Sequence, residues 1–315
     1  MHATTSTEAG ETMARLRTRV RGRRRTRLLL VGVPLLAGIL LCADLALTFG
    51  THSARIAALA TDNPGGTRYM ERAERSGHPV RYWSWVPLDS VPPLVLCAVM
   101  LSEDSEFFNI GTLNYDIQRE MIGRMLGGDF SRGGSGVAQQ LARNLYLGPQ
   151  RTPRRKAREY LLAWQLSHAL TKYRQMELYI NVVEWGDGAW GIDAASRQYF
   201  GVAPSALPPS QAVILALLLP APHLGFRYAA SDRSARKTPA VVRGLGRSML
   251  MDELTVGATT DRLARWRRGI AAGRPSPEVT AAIDSIMGPE PPSFPAMATA
   301  GRPFAELCNG RRRAG

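Results

Sequence analysis

An apolar segment near the N-terminus follows directly on an arginine-rich one. Eight arginines and no acidic residue lie between Arg15 and Arg27, and the run over residues 28–50 carries Asp44 as its single charged residue. At ~1.5 Å per residue, such a run is long enough to cross a hydrocarbon core of ~30 Å. Basic flanks stay on the cytoplasmic side of a membrane. The pattern therefore predicts a cytoplasmic arginine-rich tail over 1–27, a transmembrane anchor over 28–50 and an extracytoplasmic remainder.

A cleaved signal peptide is the alternative interpretation of the same run. The run is longer than the roughly 7–15 residues of a typical signal core, and no clear A-x-A site follows it, so we favour the anchor. Cys42 follows Leu41, where a lipoprotein signal carries a small residue, and we do not expect lipidation. The arginines suit contact with anionic lipids. DNA binding by the tail is the weaker alternative, because no aromatic residues or DNA-binding motif accompany it.

The composition indicates a folded protein with an anionic partner. Of the 315 residues, 45% are hydrophobic and 21% charged, which excludes collagen-like, coiled-coil and disordered classes. A formal charge of +14 favours nucleic acid, an acidic membrane surface or a phosphorylated substrate as partner. The cysteines Cys42, Cys97 and Cys308 are too few for a disulfide scaffold or a cysteine-rich metal site. They leave one Cys97–Cys308 bridge open.

Two glutamates lie on the apolar faces of predicted helices. Helical spacing over 93–108 places Glu103 among apolar residues, and spacing over 154–170 does the same for Glu159, with Arg155 one turn before it. Burial raises the pKa of a carboxyl group and makes it a candidate proton carrier, whereas a nearby cation keeps it ionised. The two glutamates are therefore candidates for different roles. The alternative is that each simply pairs with a core arginine.

Three further segments have unusual composition. A glycine-rich stretch over 131–136 runs into the amide-rich 137–144, and such a helix start suits an anion, although it is not a Walker loop and an ordinary capped turn is the alternative. A glycine-aromatic turn over 185–191 separates predicted helices at 172–183 and 192–199. Five cations, for which a solvated face is the alternative, lie close together: Arg151, Arg154, Arg155, Lys156 and Arg158.

These segments resemble the motifs of a known family. Residues 98–108 resemble the E-D-x-x-F motif of the peptidoglycan glycosyltransferases, glycosyltransferase family 51, and residues 134–145 are similar to its G-x-S-T-I-x-Q-Q-x-x-K-N-L segment. Residues 155–159 match R-K-x-x-E, and residues 177–181 are similar to E-x-Y-L-N. Order and spacing agree from about residue 84 to 250. The turn after Glu184 is closer to the monofunctional biosynthetic transglycosylases than to the bifunctional penicillin-binding proteins.

The resemblance implies a fold class and a domain organisation. We expect an all-α, lysozyme-like body of two lobes with a cleft between them, carrying an N-terminal transmembrane helix. A juxtamembrane linker over 51–83 would precede the glycosyltransferase domain over 84–250. Residues 251–315 form a tail of unknown role, without a recognisable motif, that we expect to be disordered. The S-x-x-K pattern that ends at Lys237 has no accompanying transpeptidase motifs, and we interpret it as a chance match.

The resemblance also implies an activity and a set of site residues. Lipid II would be polymerised with inversion, the 4-hydroxyl of an acceptor sugar attacking a chain held on undecaprenyl diphosphate. Glu103 matches the catalytic base, and Glu159 the second essential glutamate, which would orient cations or hold a divalent ion. A divalent cation, Mg²⁺ or Mn²⁺, is expected at the diphosphate. The implied substrate-binding positions are Ser135, Gln139, Gln140, Arg143, Arg151, Arg155, Lys156 and Asn181.

The expected partners are lipid II, the growing glycan strand, the lipid bilayer and cell-wall assembly proteins, with no nucleic acid. We expect the catalytic domain on the extracytoplasmic side of the cytoplasmic (inner) membrane. A lytic, lysozyme-like muramidase and a non-catalytic membrane scaffold of cell-wall assembly are the alternative functions. Departures from the family pattern include Arg143, which stands where the family has lysine in a chain with only three lysines. The others are Ile110, Thr112, Asn114, Gly136 and Gln211.

Overall fold

The computed structural model describes residues 5–109, 119, 123, 135–150, 152–186, 188–292 and 308, with side chains from Leu30 onward. The chain divides into two compact units, Met1–Ala54 and Arg55–Gly315. Positions 110–114, where the chain departs from the family pattern, and Arg151 lie outside the described residues.

A single long helix, α1, extends over Thr5–Ala58. It accounts for the described residues of the N-terminal unit. Its part from Leu30 to Ala58 is long and apolar enough to cross a membrane. The predicted end of the anchor at residue 50 falls inside this helix. Beyond residue 50 the hydroxyls of Thr51 and Ser53 donate to the carbonyls of Leu47 and Phe49, at 2.8 and 2.7 Å, so these polar groups are satisfied within the helix.

The C-terminal unit is mainly helical, as predicted. Two of its helices have a threonine as N-cap. The Thr152 side chain accepts from the backbone N–H of Arg155, and the Thr171 side chain accepts from that of Arg174. Its helices are α2 (Arg68–Arg75), α3 (Pro93–Glu103), α4 (Val137–Tyr146), α5 (Pro153–Ala169), α6 (Lys172–Val182), α7 (Ile192–Phe200), α8 (Pro209–Leu218), α9 (Gly225–Ala229), α10 (Asp232–Arg247), α11 (Glu253–Ala271) and α12 (Ser276–Met287). Short 3-10 turns cover Leu88–Ser90, Pro204–Ala206 and Pro222–Leu224.

Helix α3 is shorter than predicted. The periodicity predicts a helix over 93–108, but α3 ends at Glu103, because Asp104 leaves the helical conformation with φ −161° and ψ 77°. Its carboxylate instead accepts from the backbone N–H of Val137 at 3.0 Å. Glu103 is therefore the last residue of the helix. The helices predicted at 154–170, 172–183 and 192–199 are confirmed within one residue at each end.

A small sheet replaces the turn that was predicted over 185–191. Strand β2 (Glu184–Gly186) pairs antiparallel with β3 (Ala189–Trp190), and β1 (Tyr82–Trp83) pairs parallel with β3. The strand order is β1-β3-β2. Strands of two or three residues are too short to show the alternation that predicts a strand.

The core holds the end of α3 between neighbouring helices. Helix α3 packs on α8 and α10, and α4 packs on α5 and α6. The Ser102 hydroxyl donates to the α8 carbonyl of Ala216 at 3.1 Å, which joins the last turn of α3 to α8. Glu103 is thereby placed beside α4.

The prediction that the C-terminal tail is disordered is wrong for residues 253–287, which form α11 and α12. Leu263, Trp266 and Val279 are buried, and α11 packs on α8, α10 and α12. The apolar residues of α11 recur at helical spacing among arginines, so the composition obscured their pattern. The Cys97–Cys308 bridge, left open by the sequence, is formed, with the two Cα atoms 5.1 Å apart.

We expect Gly186→Ala to destabilise the fold more than Gly201→Ala. Both glycines have a positive φ, which costs an alanine roughly 1–2 kcal/mol. A Cβ at Gly186 would also lie 2.5 Å from the Pro222 carbonyl oxygen, whereas one at Gly201 meets nothing within 4 Å. Unfolding of both variants in urea, followed by tryptophan fluorescence, measures the difference. Equal losses would show that the contact with Pro222 adjusts without cost.

Candidate active site

Glu103 lies in a nearly closed site with few hydrogen bonds. Its Oε2 accepts from Gln140 Nε2 at 2.9 Å, and its Oε1 lies 3.3 Å from Ser102 Oγ, whose single proton is donated to the Ala216 carbonyl. Lys237 of α10 places its Nζ 3.7 Å from Oε1 and donates to the Ser102 carbonyl at 2.8 Å. The Glu103 side chain is 7% exposed. A carboxylate held this lightly keeps lone pairs available for a proton.

The orientation of the Gln140 amide is determined by its neighbours. Tyr179 donates its hydroxyl to Gln140 Oε1 at 3.0 Å, so Nε2 faces Glu103 and the Ser135 carbonyl, the latter at 3.1 Å. Burial raises the pKa of Tyr179 well above its usual value, which keeps the phenol protonated and able to donate. Gln140 therefore acts as a fixed donor toward Glu103.

Glu159 is fully buried and neutralised by two cations. Its carboxylate forms ion pairs with Arg155 and Lys156, and the Lys156 Nζ lies 2.5 Å from its Oε1. Burial lowers the pKa of Lys156, and Glu159 opposes that shift. Lys156 also donates to Ser135 Oγ at 2.6 Å and to Gln139 Oε1 at 3.1 Å. The cationic partner that the sequence predicted for Glu159 is present.

The structure brings the two glutamates into one hydrogen-bonded network. Ser135 is the link, because its carbonyl accepts from Gln140, which bonds Glu103, and its hydroxyl lies 3.3 Å from Glu159 Oε1. Glu103 and Glu159 thus have different partners within this network. One carboxylate is held by an amide with a lysine nearby, and the other is paired with two cations.

A cavity of about 240 Å³ adjoins this network. Its lining includes Arg143, Arg155 and Gln140, together with Glu184 and His223. Two guanidinium groups in one cavity suit a phosphate or diphosphate, which they bind by paired hydrogen bonds. The remaining lining residues are Tyr69, Asn144, Pro149, Tyr179, Val183, Leu219, Pro220 and Pro222.

The predicted anion site at the start of α4 is occupied by a side chain of the protein itself. Asp104 Oδ2 accepts from the backbone N–H of Val137, the first residue of α4. Burial raises the pKa of Asp104, and the Val137 hydrogen bond acts against that shift. A Cβ at Gly136 would overlap Asp104 Oδ2, which gives a physical reason for the glycine at this position.

The predicted substrate residue Asn181 is not part of the network. Asn181 is fully buried, and its amide oxygen accepts from the backbone N–H of Val86 at 2.9 Å. Its amide nitrogen donates to the carbonyls of Val86, at 2.8 Å, and of Glu177. With these contacts Asn181 supports the fold beneath the site. Arg151 lies outside the described residues.

Each of the three lysines lies beside an acidic residue of the site. Lys156 pairs with Glu159, and Lys237 approaches Glu103. Lys172 stacks over the Phe107 ring, 4.4 Å from its centroid, where burial lowers its pKa and Asp104 raises it. Lys237 was missed because its S-x-x-K pattern pointed to another chemistry. Its chain position, far from α3, carries no signal of the contact.

The described residues do not form a resident metal site. No three His, Cys, Asp or Glu side chains converge within the part of the chain that the structure describes. The carboxylate of Glu159 is engaged by Arg155 and Lys156, which favours the orienting role over the metal-binding role.

Comparison with known proteins identifies the family. Residues 72–245 match the family model described as Transglycosylase. The match covers more than half of the chain, and the chain belongs to this family. It ends before α11 and α12.

Several curated relatives carry the name biosynthetic peptidoglycan transglycosylase. The relative from Aromatoleum aromaticum is 38% identical over 186 residues, which is 55% of this chain and 80% of that protein. The relative from Alcanivorax borkumensis is 37% identical over 175 residues, covering 54% and 69%. The relative from Paraburkholderia xenovorans is 33% identical over 208 residues, covering 64% and 86%.

We expect Glu159→Gln to destabilise the protein by roughly 3 kcal/mol, because it leaves Arg155 and Lys156 buried without a counter-ion. The matched control is Glu71→Gln, which removes the carboxylate from an exposed pair with Arg68 and should change stability by less than about 1 kcal/mol. Chemical unfolding of the full chain in detergent measures both. Equal effects would show that the buried pair contributes no more than the exposed one.

Proposed function

We propose that this chain is a peptidoglycan glycosyltransferase that polymerises lipid II into glycan strands by inverting transfer. The observation that carries the proposal is the network in which Glu103 is linked through Gln140 and Ser135 to the cations at Glu159. Membership of the transglycosylase family and the names of the relatives support the same activity.

Glu103 acts as the general base in this proposal. The acceptor 4-hydroxyl is a weak nucleophile, so its proton must be taken as its oxygen attacks the donor. The bond between that oxygen and the anomeric carbon forms as the bond from this carbon to the diphosphate oxygen breaks. The proton passes to Glu103, whose position is held by the Gln140 amide.

The leaving diphosphate needs charge neutralisation rather than an acid. Arg143 and Arg155 line the adjoining cavity. Lys156 pairs with Glu159, the same carboxylate that pairs with Arg155. Preorganised cations stabilise charge that develops in the transition state. Glu159 orients Arg155 and Lys156, and Ser135 and Gln139 hold the Lys156 ammonium group. Arg151 is assigned to the same side on the motif alone.

We place the catalytic domain on the extracytoplasmic side of the membrane. The apolar part of α1 is long enough to span a bilayer, and the arginine-rich segment before it favours a cytoplasmic N-terminus. The Cys97–Cys308 disulfide supports this orientation, because disulfides persist in oxidising compartments outside the cytosol. Lipid II, the glycan strand and cell-wall assembly proteins are the proposed partners.

We expect Glu103→Gln to lower the rate of glycan synthesis from lipid II by at least about 10²-fold, in line with general-base contributions. The amide keeps an oxygen that can accept from Gln140, so the fold should be retained. Polymer length and rate are followed by gel electrophoresis of labelled glycan. Absence of polymer from the wild-type protein, or full activity of the variant, would contradict the proposal.

Two further experiments use the same purified protein. Chelation followed by addition of Mg²⁺ or Mn²⁺ tests the proposal that a divalent cation accompanies the diphosphate. Incubation with purified sacculi tests the muramidase alternative, because release of muropeptides would favour a lytic enzyme. A wild-type protein that is inactive in both assays would favour the scaffold.

We expect Lys237→Met to lower the rate of glycan synthesis severalfold in the same gel assay. The Lys237 ammonium group lies 3.7 Å from Glu103 Oε1 and donates to the Ser102 carbonyl at 2.8 Å, so it helps to hold the last turn of α3 and its carboxylate in place. Lys237→Arg keeps the charge and is the matched control. An unchanged rate in Lys237→Met would show that these contacts of the half-exposed lysine do not position Glu103.

A further inference from the structure

The family match ends at residue 245, yet the chain continues into a packed segment. We call residues 248–308 the C-terminal extension; its described residues are 248–292 and 308. Arg262 of α11 donates to Asp284 at 2.7 Å and to the carbonyl of Gly288, just beyond α12. These contacts hold α12 and the residues that follow it against α11.

Glu290 of the extension caps helix α8 from outside. Its carboxylate accepts from the backbone N–H of Ser210, at 3.2 Å, and from the hydroxyls of Ser210 and Thr259. The residue at the N-cap position of α8, Pro208, makes no side-chain cap. Glu290 thus supplies the negative charge that the start of a helix favours.

Helix α8 has Gln211 where a carboxylate of its own could stabilise the helix start, and the carboxylate of Glu290 lies there instead. Gln211 is the third residue of α8, where a glutamate would favour the helix start, and its side chain lines a cavity of about 80 Å³ together with Glu290. The buried Gln211 Oε1 has no hydrogen-bond partner among the described residues. The glutamine at this position and the carboxylate of Glu290 are therefore complementary.

Cys308 ties the extension to the helix that carries the base. The Cys97–Cys308 disulfide attaches it to α3, six residues before Glu103. The Cys308 carbonyl also accepts from the Ser248 hydroxyl at 3.0 Å. Glu290 is thus attached to α8, and Cys308 to α3. Because α8 and α3 are joined through Ser102 and Ala216, both attachments act on the helices that hold Glu103.

We propose that the C-terminal extension is a positioning element for Glu103, with Glu290 and Cys308 as its positioning residues. The proposal rests on the proposed function, since its effect is on the same base. Neither residue contacts the network of Glu103 and Glu159 in the described structure. Their action is to hold α8 and α3 in the packing that keeps Glu103 against Gln140.

The redox form of the bridge gives the first test. The full chain with Cys42→Ser, which removes the free cysteine, is prepared in detergent with dithiothreitol, and one portion is then oxidised with glutathione disulfide. In that step the Cys97 and Cys308 thiols lose two protons and two electrons, and glutathione disulfide becomes two glutathione thiols. We expect kcat of the oxidised form to be about tenfold higher with KM little changed, because a shift of the base affects chemistry more than binding. Cys97→Ser/Cys308→Ser in the same background should not respond to oxidation.

Exchange of the carboxylate between positions 290 and 211 gives the second test. Glu290→Gln should lower kcat severalfold, and Gln211→Glu should restore it in that background. Gln211→Glu alone should lower kcat, because it places a second carboxylate in the same small cavity. Glu278→Gln, an exposed change in the same extension, is the matched control. Gln211→Glu is thus expected to raise kcat in the Glu290→Gln background and to lower it in the wild-type background. A merely local role of Glu290 would not give these opposite effects.

The outcomes separate this inference from the proposed function. Wild-type activity that is unaffected by the redox form and by Glu290→Gln would overturn the positioning role while leaving the enzyme in place. A wild-type chain that makes no glycan would contradict the proposed function. Hydrogen exchange over residues 93–103 then decides the inference, since faster exchange in the reduced form and in Glu290→Gln supports it and unchanged exchange overturns it.

Discussion

The contact between Gln140 and Glu103 depends on most of the surrounding fold. Tyr179 of α6 orients the amide from one side, and the Ser135 carbonyl accepts its second hydrogen from the other. Helix α3 has to end at Glu103 for the carboxylate to meet that donor, and Asp104 ends it by turning to α4. The position of one carboxylate thus reflects three helices and the loop before α4.

The electrostatic contrast between the two glutamates follows from the same packing. Glu159 is enclosed with two cations, so its charge is compensated within the protein and serves to hold Arg155 and Lys156. Glu103 has one lysine at a longer distance and a single amide donor. A carboxylate whose charge is less compensated is better suited to accept a proton, and a compensated one to organise cations. Two residues of one type therefore differ through their neighbours.

Much of the helical fold, and both glutamates, could be predicted from the sequence because helical spacing is a local signal. Thr152 and Thr171 begin α5 and α6 where the pattern predicts, and Arg155 lies one turn from Glu159. The contacts of Lys237 and Asp104 join distant parts of the chain, and local periodicity holds no information about them. Helix α11 was missed because arginines surround its apolar residues, whereas α12 contains no arginine and its apolar spacing offered a local signal that was not used.

The scarcity of lysine gives this protein an intrinsic chemical label. All three lysines of the chain lie next to Glu103, Asp104 or Glu159, in a protein whose 40 basic residues are otherwise arginines. Among the side chains of this sequence, a reagent that acylates amines consequently has these three targets. Lys156 is buried with Glu159, whereas Lys237 is half exposed, so the two would be acylated at different rates. Acylation rates alone could then report when a ligand covers the region around the two glutamates.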